Sequence, residues 1–396
     1  MKKVCIIGLG YIGLPTAALI ANKGFKVHGV DIQESIIKKI NKGKIHIIEP
    51  GLDKYVKNAV EIGNLKAASK PQKSDIFIIT VPTPIKNKKP DLSFVESAIK
   101  MIIPYIEKNN QIIIESTCPV GTTEYINEKI LKDTNLKDND IFLAYCPERV
   151  LPGNIFFELE NNDRIIGGVN NKSTKKVVEF YNKFVKGKLL ETDSKTAEMV
   201  KLTENSFRDI NIAFANEISI LCEENNVDVW ELVDLANKHP RVNILEPGPG
   251  VGGHCIAVDP WFLVSSNNKS SKLIRTAREV NLNKEKWVIN KILNSNNKTV
   301  TIYGITFKPD IDDIRESPSL NIANYLQKIK KLDVKIVEPN ISKFQKEKLN
   351  LDFISMSESK KRGGLHVILV NHSIFKSKMK LHLKNKLILD FKGLLK

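Results

Sequence analysis

The chain has 396 residues, 42% of them hydrophobic and 27% charged, with a formal net charge of +16. This length predicts two or three domains, and no window is apolar enough to span a membrane. The lysines are spread along the whole chain without a nucleic-acid recognition motif, so small polyanions such as dinucleotides or sugar nucleotides suit the charge better than DNA or RNA. Cys5, Cys118, Cys146, Cys222 and Cys255 are scattered with no metal-ligand spacing, so reduced thiols and no metal site are expected. Met1-Lys2-Lys3 leads into a strand and not a signal peptide, which predicts a cytoplasmic protein.

Apolar runs at 4–7, 26–30, 76–79, 111–114 and 141–144 read as strands separated by helical patterns. Near-continuous runs of this kind predict a parallel sheet covered on both faces, extended by 165–168. From Thr196 to Glu224 the pattern is helical, with no glycine or proline to break it, and Leu273 to Leu293 predicts a second long helix. Strand and helix alternation restarts at Thr299, with strands at 300–304, 334–337, 367–370 and 387–390.

Gly8-Leu9-Gly10-Tyr11-Ile12-Gly13 follows the first strand and opens a helix near Leu14. Such glycines permit a tight turn, close approach to a pyrophosphate and close helix–strand packing, while the helix N-terminus offers N–H groups to phosphate. Asp31 ends the second strand at the spacing expected of a carboxylate that binds both ribose hydroxyls, which favours NAD over NADP. The expected fold class is therefore α/β, with two Rossmann-like doubly wound parallel-sheet domains joined by a central helical domain. The expected boundaries are 1–195, 196–295 and 296–396.

Later loops fall at the C-terminal ends of strands, where open α/β sheets bind ligands. They carry Val81-Pro82-Thr83-Pro84, then residues 115–123 with Thr117, Thr122 and Thr123, then Cys146-Pro147-Glu148-Arg149. Threonine hydroxyls there suit a nicotinamide ribose or a water, with a helix N-cap as the alternative; for Thr122 the N-cap is the favoured reading. In the first long helix, Lys201, Asn205 and Arg208 are spaced i, i+4, i+7 and share one face, which is either solvated charge or an anion site. Pro247-Gly248-Pro249-Gly250-Val251-Gly252-Gly253-His254-Cys255 forms no regular element, so it can hold a thiol at the mouth of a loop, with Asp259 four residues on.

Together with residues 45–50, 145–153, 237–261, 307–310 and 315–317, these stretches resemble the UDP-glucose/GDP-mannose dehydrogenase family over essentially the whole chain. The resemblance implies oxidation of the C6 alcohol of a UDP-N-acetylhexosamine to a carboxylate with two NAD, through a thiohemiacetal and thioester on Cys255. It assigns oxyanion stabilisation to Lys201 and Asn205, and the holding or activation of water to Asp259, Thr117 and Glu148. It puts Gly8, Gly10, Tyr11, Ile12, Gly13, Asp31, Thr83, Thr117, Thr123 and Arg315 on the cofactor. On the sugar nucleotide it puts Arg149, Val150, Lys201, Asn205, Arg208, Gly253, Phe307, Lys308 and Lys392. His239 and Arg241 are to be supplied across a homodimer or higher homo-oligomer. The competing readings are a single-step alcohol dehydrogenase with no need of Cys255, and a non-catalytic NAD-responsive binding protein.

Overall fold

Along β1 (Lys3–Ile7) and β4 (Ile76–Ile79), Val4, Ile6, Ile76 and Ile78 enter one apolar cluster while Cys5, Ile7, Phe77 and Ile79 enter another. A strand whose alternate side chains are apolar on both sides can only be a central strand between two layers. Each fully buried branched side chain there stabilises the fold by about 1.5–3 kcal/mol. The computed structural model describes all residues except Met1, Ile48, Pro152, Ser377 and Lys378, and gives Lys380 and Leu381 by backbone alone. Ile48 and Pro152, which fall in two of the stretches that carry the resemblance, lie outside the described residues.

The remaining strands are β2 (Lys26–Val30), β3 (Leu65–Ala68), the two-residue hairpin strands β5 (Ile85–Lys86) and β6 (Lys89–Pro90), β7 (Gln111–Ile114), β8 (Phe142–Tyr145), β9 (Arg164–Gly168) and β10 (Leu189–Asp193). The large sheet has the order β10-β9-β8-β7-β4-β1-β2-β3. Its pairs are parallel except β8 with β9, so the last two strands run against the rest. Sequence alone placed 165–168 in this sheet but did not show the reversal. Between β1 and β4 the chain direction of successive additions switches, which opens a crevice at the glycine turn.

Two compact units divide the chain, Met1–Thr203 and Glu204–Lys396. The long helix Ser194–Glu224 passes through the boundary, and the second long helix spans Lys272–Asn294. The second sheet comprises β11 (Thr299–Tyr303), β12 (Asp333–Val337), β13 (Leu365–Ile368) and β14 (Leu387–Asp390), all parallel in the order β12-β11-β13-β14. Its first turn copies that of the large sheet. Gly8 and Gly304 both have positive φ, at 95° and 85°. The next N–H donates to a carboxylate at the end of the neighbouring strand, Leu9 to Asp31 at 3.1 Å and Ile305 to Glu338 at 2.8 Å. They differ in what surrounds the acid: Glu338 is buried and bonded at 3.2 Å to the equally buried His372, whereas Asp31 is half-exposed.

Candidate active site

In the first unit, the helix Gly13–Asn22 begins directly after the glycine turn, so its unpaired N–H groups face the crevice. Gly10 decides whether the turn fits a dinucleotide. It is exposed, and a Cβ added to it would meet no atom within 4 Å. Nothing in the protein requires a glycine there, whereas a pyrophosphate lying against the backbone does. Tyr11 and Ile12 are half-buried beside it. Asp31 accepts from Leu9 N–H at 3.1 Å and from Gln33 N–H at 2.9 Å, which fixes its carboxylate at the end of β2. Thr83 and Thr117 are half-buried in the loops after β4 and β7.

Thr123 sits differently. It is fully buried, and its backbone N–H and its hydroxyl both donate to Glu198 Oε1, at 2.7 and 2.6 Å. Glu198 also accepts from Gly121 N–H at 2.6 Å, so a distant carboxylate caps the helix Thr122–Asp133. The Thr123 hydroxyl proton is thus spent within the protein. Thr122 is not the N-cap either: Gly121 takes that place with φ 92°, and the Thr122 hydroxyl donates back to Pro119 O at 2.6 Å. A lone carboxylate some 75 residues away leaves no local pattern by which sequence reading could find it.

The loop after β8 brings Glu148, Arg149 and Val150 together. Glu148 Oε1 accepts the Arg149 N–H at 2.7 Å and Oε2 accepts Arg164 Nη2 at 2.9 Å. The Glu148 carbonyl accepts the Lys201 ammonium at 2.7 Å. Arg149 donates to the Asp163 carbonyl, and Val150 packs against the apolar cluster below. Burial pushes the neighbouring Glu115 carboxyl up to about 7 and the Cys146 thiol up to about 11. Arg164 and Glu115 are members of this cluster that sequence reading missed. The available signal was a charged residue heading an otherwise apolar strand.

In the second unit, Asn205 Nδ2 donates to Asp259 Oδ2 at 2.6 Å, and both side chains are buried. The Cys255 carbonyl accepts the N–H groups of Val258 at 3.0 Å and Asp259 at 2.8 Å, a turn that brings thiol and carboxylate onto one short segment before the helix Pro260–Ser266. Cys255 is half-buried, whereas Cys5, Cys118, Cys146 and Cys222 are buried. The glycines before it are used for close packing. Gly253 has φ 83°, and a Cβ on it would lie 2.8 Å from the Phe307 ring; one on Gly252 would lie 2.6 Å from Glu316 O. The loop is held further by Gly253 N–H to Arg315 O at 3.2 Å and by Gly248 N–H to Asn216 Oδ1 at 2.8 Å.

Lys392 reaches the same loop, donating to Pro247 O at 3.2 Å, and burial lowers its pKa. Lys308 is exposed, with its carbonyl fixed by the Thr306 hydroxyl at 2.9 Å. Arg315 forks onto Asp313 at 3.0 and 2.6 Å. Arg208, His239 and Arg241 are exposed. The structure therefore gathers Glu148, Arg149 and Lys201 in one unit, and Asn205, Gly253, Cys255, Asp259, Phe307 and Lys392 in the other. Lys201 and Asn205 lie one turn apart on the same helix. No group of His, Cys, Asp and Glu fit for a metal ion occurs among the described residues, and none of their helices is long and apolar enough to cross a membrane.

Comparison with known proteins matches three successive models of the UDP-glucose/GDP-mannose dehydrogenase family. The NAD binding domain matches residues 2–185, the central domain 195–283 and the UDP binding domain 301–396. The chain is 49% identical to a UDP-N-acetyl-D-mannosamine dehydrogenase of Campylobacter jejuni, covering 94% of this chain and 96% of the relative. It is 43% identical to an NDP-N-acetyl-D-galactosaminuronic acid dehydrogenase of Ralstonia nicotianae, covering 99% and 96%. The solved UDP-N-acetyl-mannosamine dehydrogenase of Staphylococcus aureus superposes with a TM-score of 0.91 at 41% identity, covering 100% of this chain and 96% of that one.

Proposed function

This chain belongs to the UDP-glucose/GDP-mannose dehydrogenase family, and from that premise we propose that it oxidises the C6 alcohol of UDP-N-acetyl-D-mannosamine to the carboxylate. NAD, held by the glycine turn and Asp31, supplies the hydride acceptor for both oxidations. The chain's own residues do the rest. Cys255 attacks the C6 aldehyde to give a thiohemiacetal and then, after the second oxidation, a thioester. Thiolate suits this role because it is a good nucleophile and also a workable leaving group. Lys201 and Asn205 stabilise negative charge on the C6 oxygen. Asp259 activates the water that hydrolyses the thioester, with Thr117 and Glu148 as further water ligands.

One observation carries this reading: a half-buried cysteine whose own turn is closed by the N–H of Asp259, the acid that Asn205 holds at 2.6 Å. A single-step alcohol dehydrogenase has no use for that arrangement. Arg149, Val150, Arg208, Gly253, Phe307, Lys308 and Lys392 bind the sugar nucleotide. Exposed His239 and Arg241 reach the substrate of a partner subunit in a homodimer or larger assembly. The domain boundaries 1–195, 196–295 and 296–396 belong to the same reading, supported by the three family matches. So does a cytoplasmic supply of uronic acid for a cell-surface polysaccharide or glycan.

The Ralstonia relative, named for a galacto sugar, favours a second reading, the same chemistry on another N-acetylhexosamine stereoisomer. These sugars differ in the orientation of one or two ring substituents, and a few side chains decide between them. The test is NADH formed per sugar consumed, with limiting UDP-N-acetyl-D-mannosamine, UDP-N-acetyl-D-glucosamine and UDP-N-acetyl-D-galactosamine in parallel. Two NADH from the manno substrate alone are expected. Two from another of these sugars would keep the mechanism and replace the substrate; one per sugar would remove the role given to Cys255.

A further inference from the structure

Behind the Glu148 loop lies a buried charged cluster for which the reaction scheme has no use. Arg164, the first residue of β9, is only 5% exposed. Its Nη2 donates to Glu148 Oε2 at 2.9 Å, and its Nη1 lies 3.7 Å from both Glu115 Oε1 and Cys146 Sγ. The guanidinium sits 4.9 Å from the centre of the Tyr181 ring, and the Tyr181 hydroxyl donates to Glu115 Oε1 at 2.6 Å. Burying a cation is expensive unless it is paired, and Arg164 has two acids within reach. Glu148, at 2.9 Å against 3.7 Å for Glu115, is the acid the guanidinium chiefly bonds, and burial raises the pKa of the Glu115 carboxyl.

The cluster does not end at Glu148. With its two carboxylate oxygens on Arg164 and on the Arg149 N–H, Glu148 has a fixed backbone, and its carbonyl accepts the Lys201 ammonium at 2.7 Å. A lysine head on a flexible four-carbon stem is placed by whatever accepts from it. Here that acceptor belongs to a loop residue pinned from behind by one guanidinium.

We propose that Arg164 is a positioning residue, which by holding the Glu148 carboxylate sets the carbonyl that places the Lys201 ammonium for the C6 oxygen. The proposal rests on the reading of Lys201 as the oxyanion stabiliser. The competing account makes Arg164 a mere counter-ion for two buried acids. That account predicts lost stability and an unchanged turnover per folded molecule.

The experiment measures kcat, both KM values and the thermal midpoint for Arg164→Lys, Lys201→Met and the double variant, with whichever UDP-N-acetylhexosamine is oxidised. Lysine keeps the charge but loses the planar fork that spans Glu148 and Glu115. Arg164→Lys is expected to lower kcat roughly 10- to 100-fold, as small misplacements of a reacting group do, with each KM within about twofold of the parent. The double variant is expected to be no slower than Lys201→Met alone, because one residue acts through the other. Parental kcat in Arg164→Lys beside a crippled Lys201→Met overturns the positioning role alone. So does a double variant whose loss is the product of the two single losses. Parental kcat in Lys201→Met overturns the underlying reading instead. Should Arg164→Lys not fold, Arg164→Gln combined with Glu115→Gln removes the fork with less unpaired charge and is judged by the same comparison.

Discussion

A Cβ placed on Gly13 lands 1.9 Å from the carbonyl oxygen of Gly8, whereas one placed on Gly10 meets no atom within 4 Å. The two glycines look alike as letters, yet one is demanded by the fold and the other meets open space, where the proposed pyrophosphate would lie. Gly13→Ala should therefore cost about 3 kcal/mol of stability or more, by overpacking against backbone that cannot yield. Gly10→Ala should leave stability within about 0.5 kcal/mol, as exposed substitutions do. It should nevertheless weaken NAD binding at least roughly tenfold, or about 1.4 kcal/mol. Urea unfolding and NAD titration by calorimetry separate the two; parental NAD affinity in folded Gly10→Ala would mean that the pyrophosphate does not approach there. Thr123 teaches the converse lesson. A threonine at the right place in a loop reads as a ligand contact, and only the structure shows its hydroxyl already donated to Glu198.

Elements built on long apolar runs were legible from sequence, and those at sheet edges were not. The strands at 26–30, 76–79, 111–114 and 387–390 coincide with β2, β4, β7 and β14. β3 and β10 escaped, and they are the two outer strands of the large sheet. An edge strand is covered less and tolerates polar residues, so Leu65-Lys66-Ala67-Ala68 and Leu189-Leu190-Glu191-Thr192-Asp193 lack the Val/Ile run that marks an inner strand. The face shared by Lys201 and Asn205 was visible as helical spacing, and Glu148 as a loop candidate; the bond from Lys201 to the Glu148 carbonyl and the places of Arg164, Asn216 and Glu198 were not, because no local period links residues so far apart. The helix pair of the second unit hides another such group. Lys284, 2% exposed, donates to the Ser219 hydroxyl at 2.7 Å and lies 3.6 Å from the centre of the Trp287 ring. Burial lowers its pKa from 10.5 to about 7. Between those two values the unfolded chain binds a proton that the folded chain does not, so this group makes stability rise with pH across that window. Below pH 7 the folded protein must bury a charge instead. Lys284→Met should thus be most favourable relative to the parent at pH 6, with an advantage that shrinks by pH 9 and vanishes only above about pH 10.5. A difference in urea midpoint that stays constant from pH 6 to pH 9 would show that Lys284 is solvated in the folded state.

For the whole molecule, the charge of +16 is chiefly a property of its surface. Pairs such as Lys38–Glu34, with side chains 73% and 79% exposed, add little stability, and the net positive field favours approach of doubly anionic nucleotides. The buried charges do different work: the pairs Arg164–Glu148 and Arg278–Asp209, at 2.9 and 2.7 Å, fix particular loops and helices within their own units. The distribution of sulfur has a practical side. Burial pushes Cys5 up to about 12 and Cys146 up to about 11, which keeps those two thiols protonated, and Cys118 and Cys222 are shielded by burial. A mild alkylating reagent should then act as an active-site titrant. Native protein treated with iodoacetamide should take up one label per chain, at Cys255 by peptide mass spectrometry, in step with the loss of turnover. Saturating sugar nucleotide should slow that labelling, and early modification of any other cysteine would refute this selectivity. With this stoichiometry, any preparation could be calibrated by the number of competent centres it contains instead of by its mass.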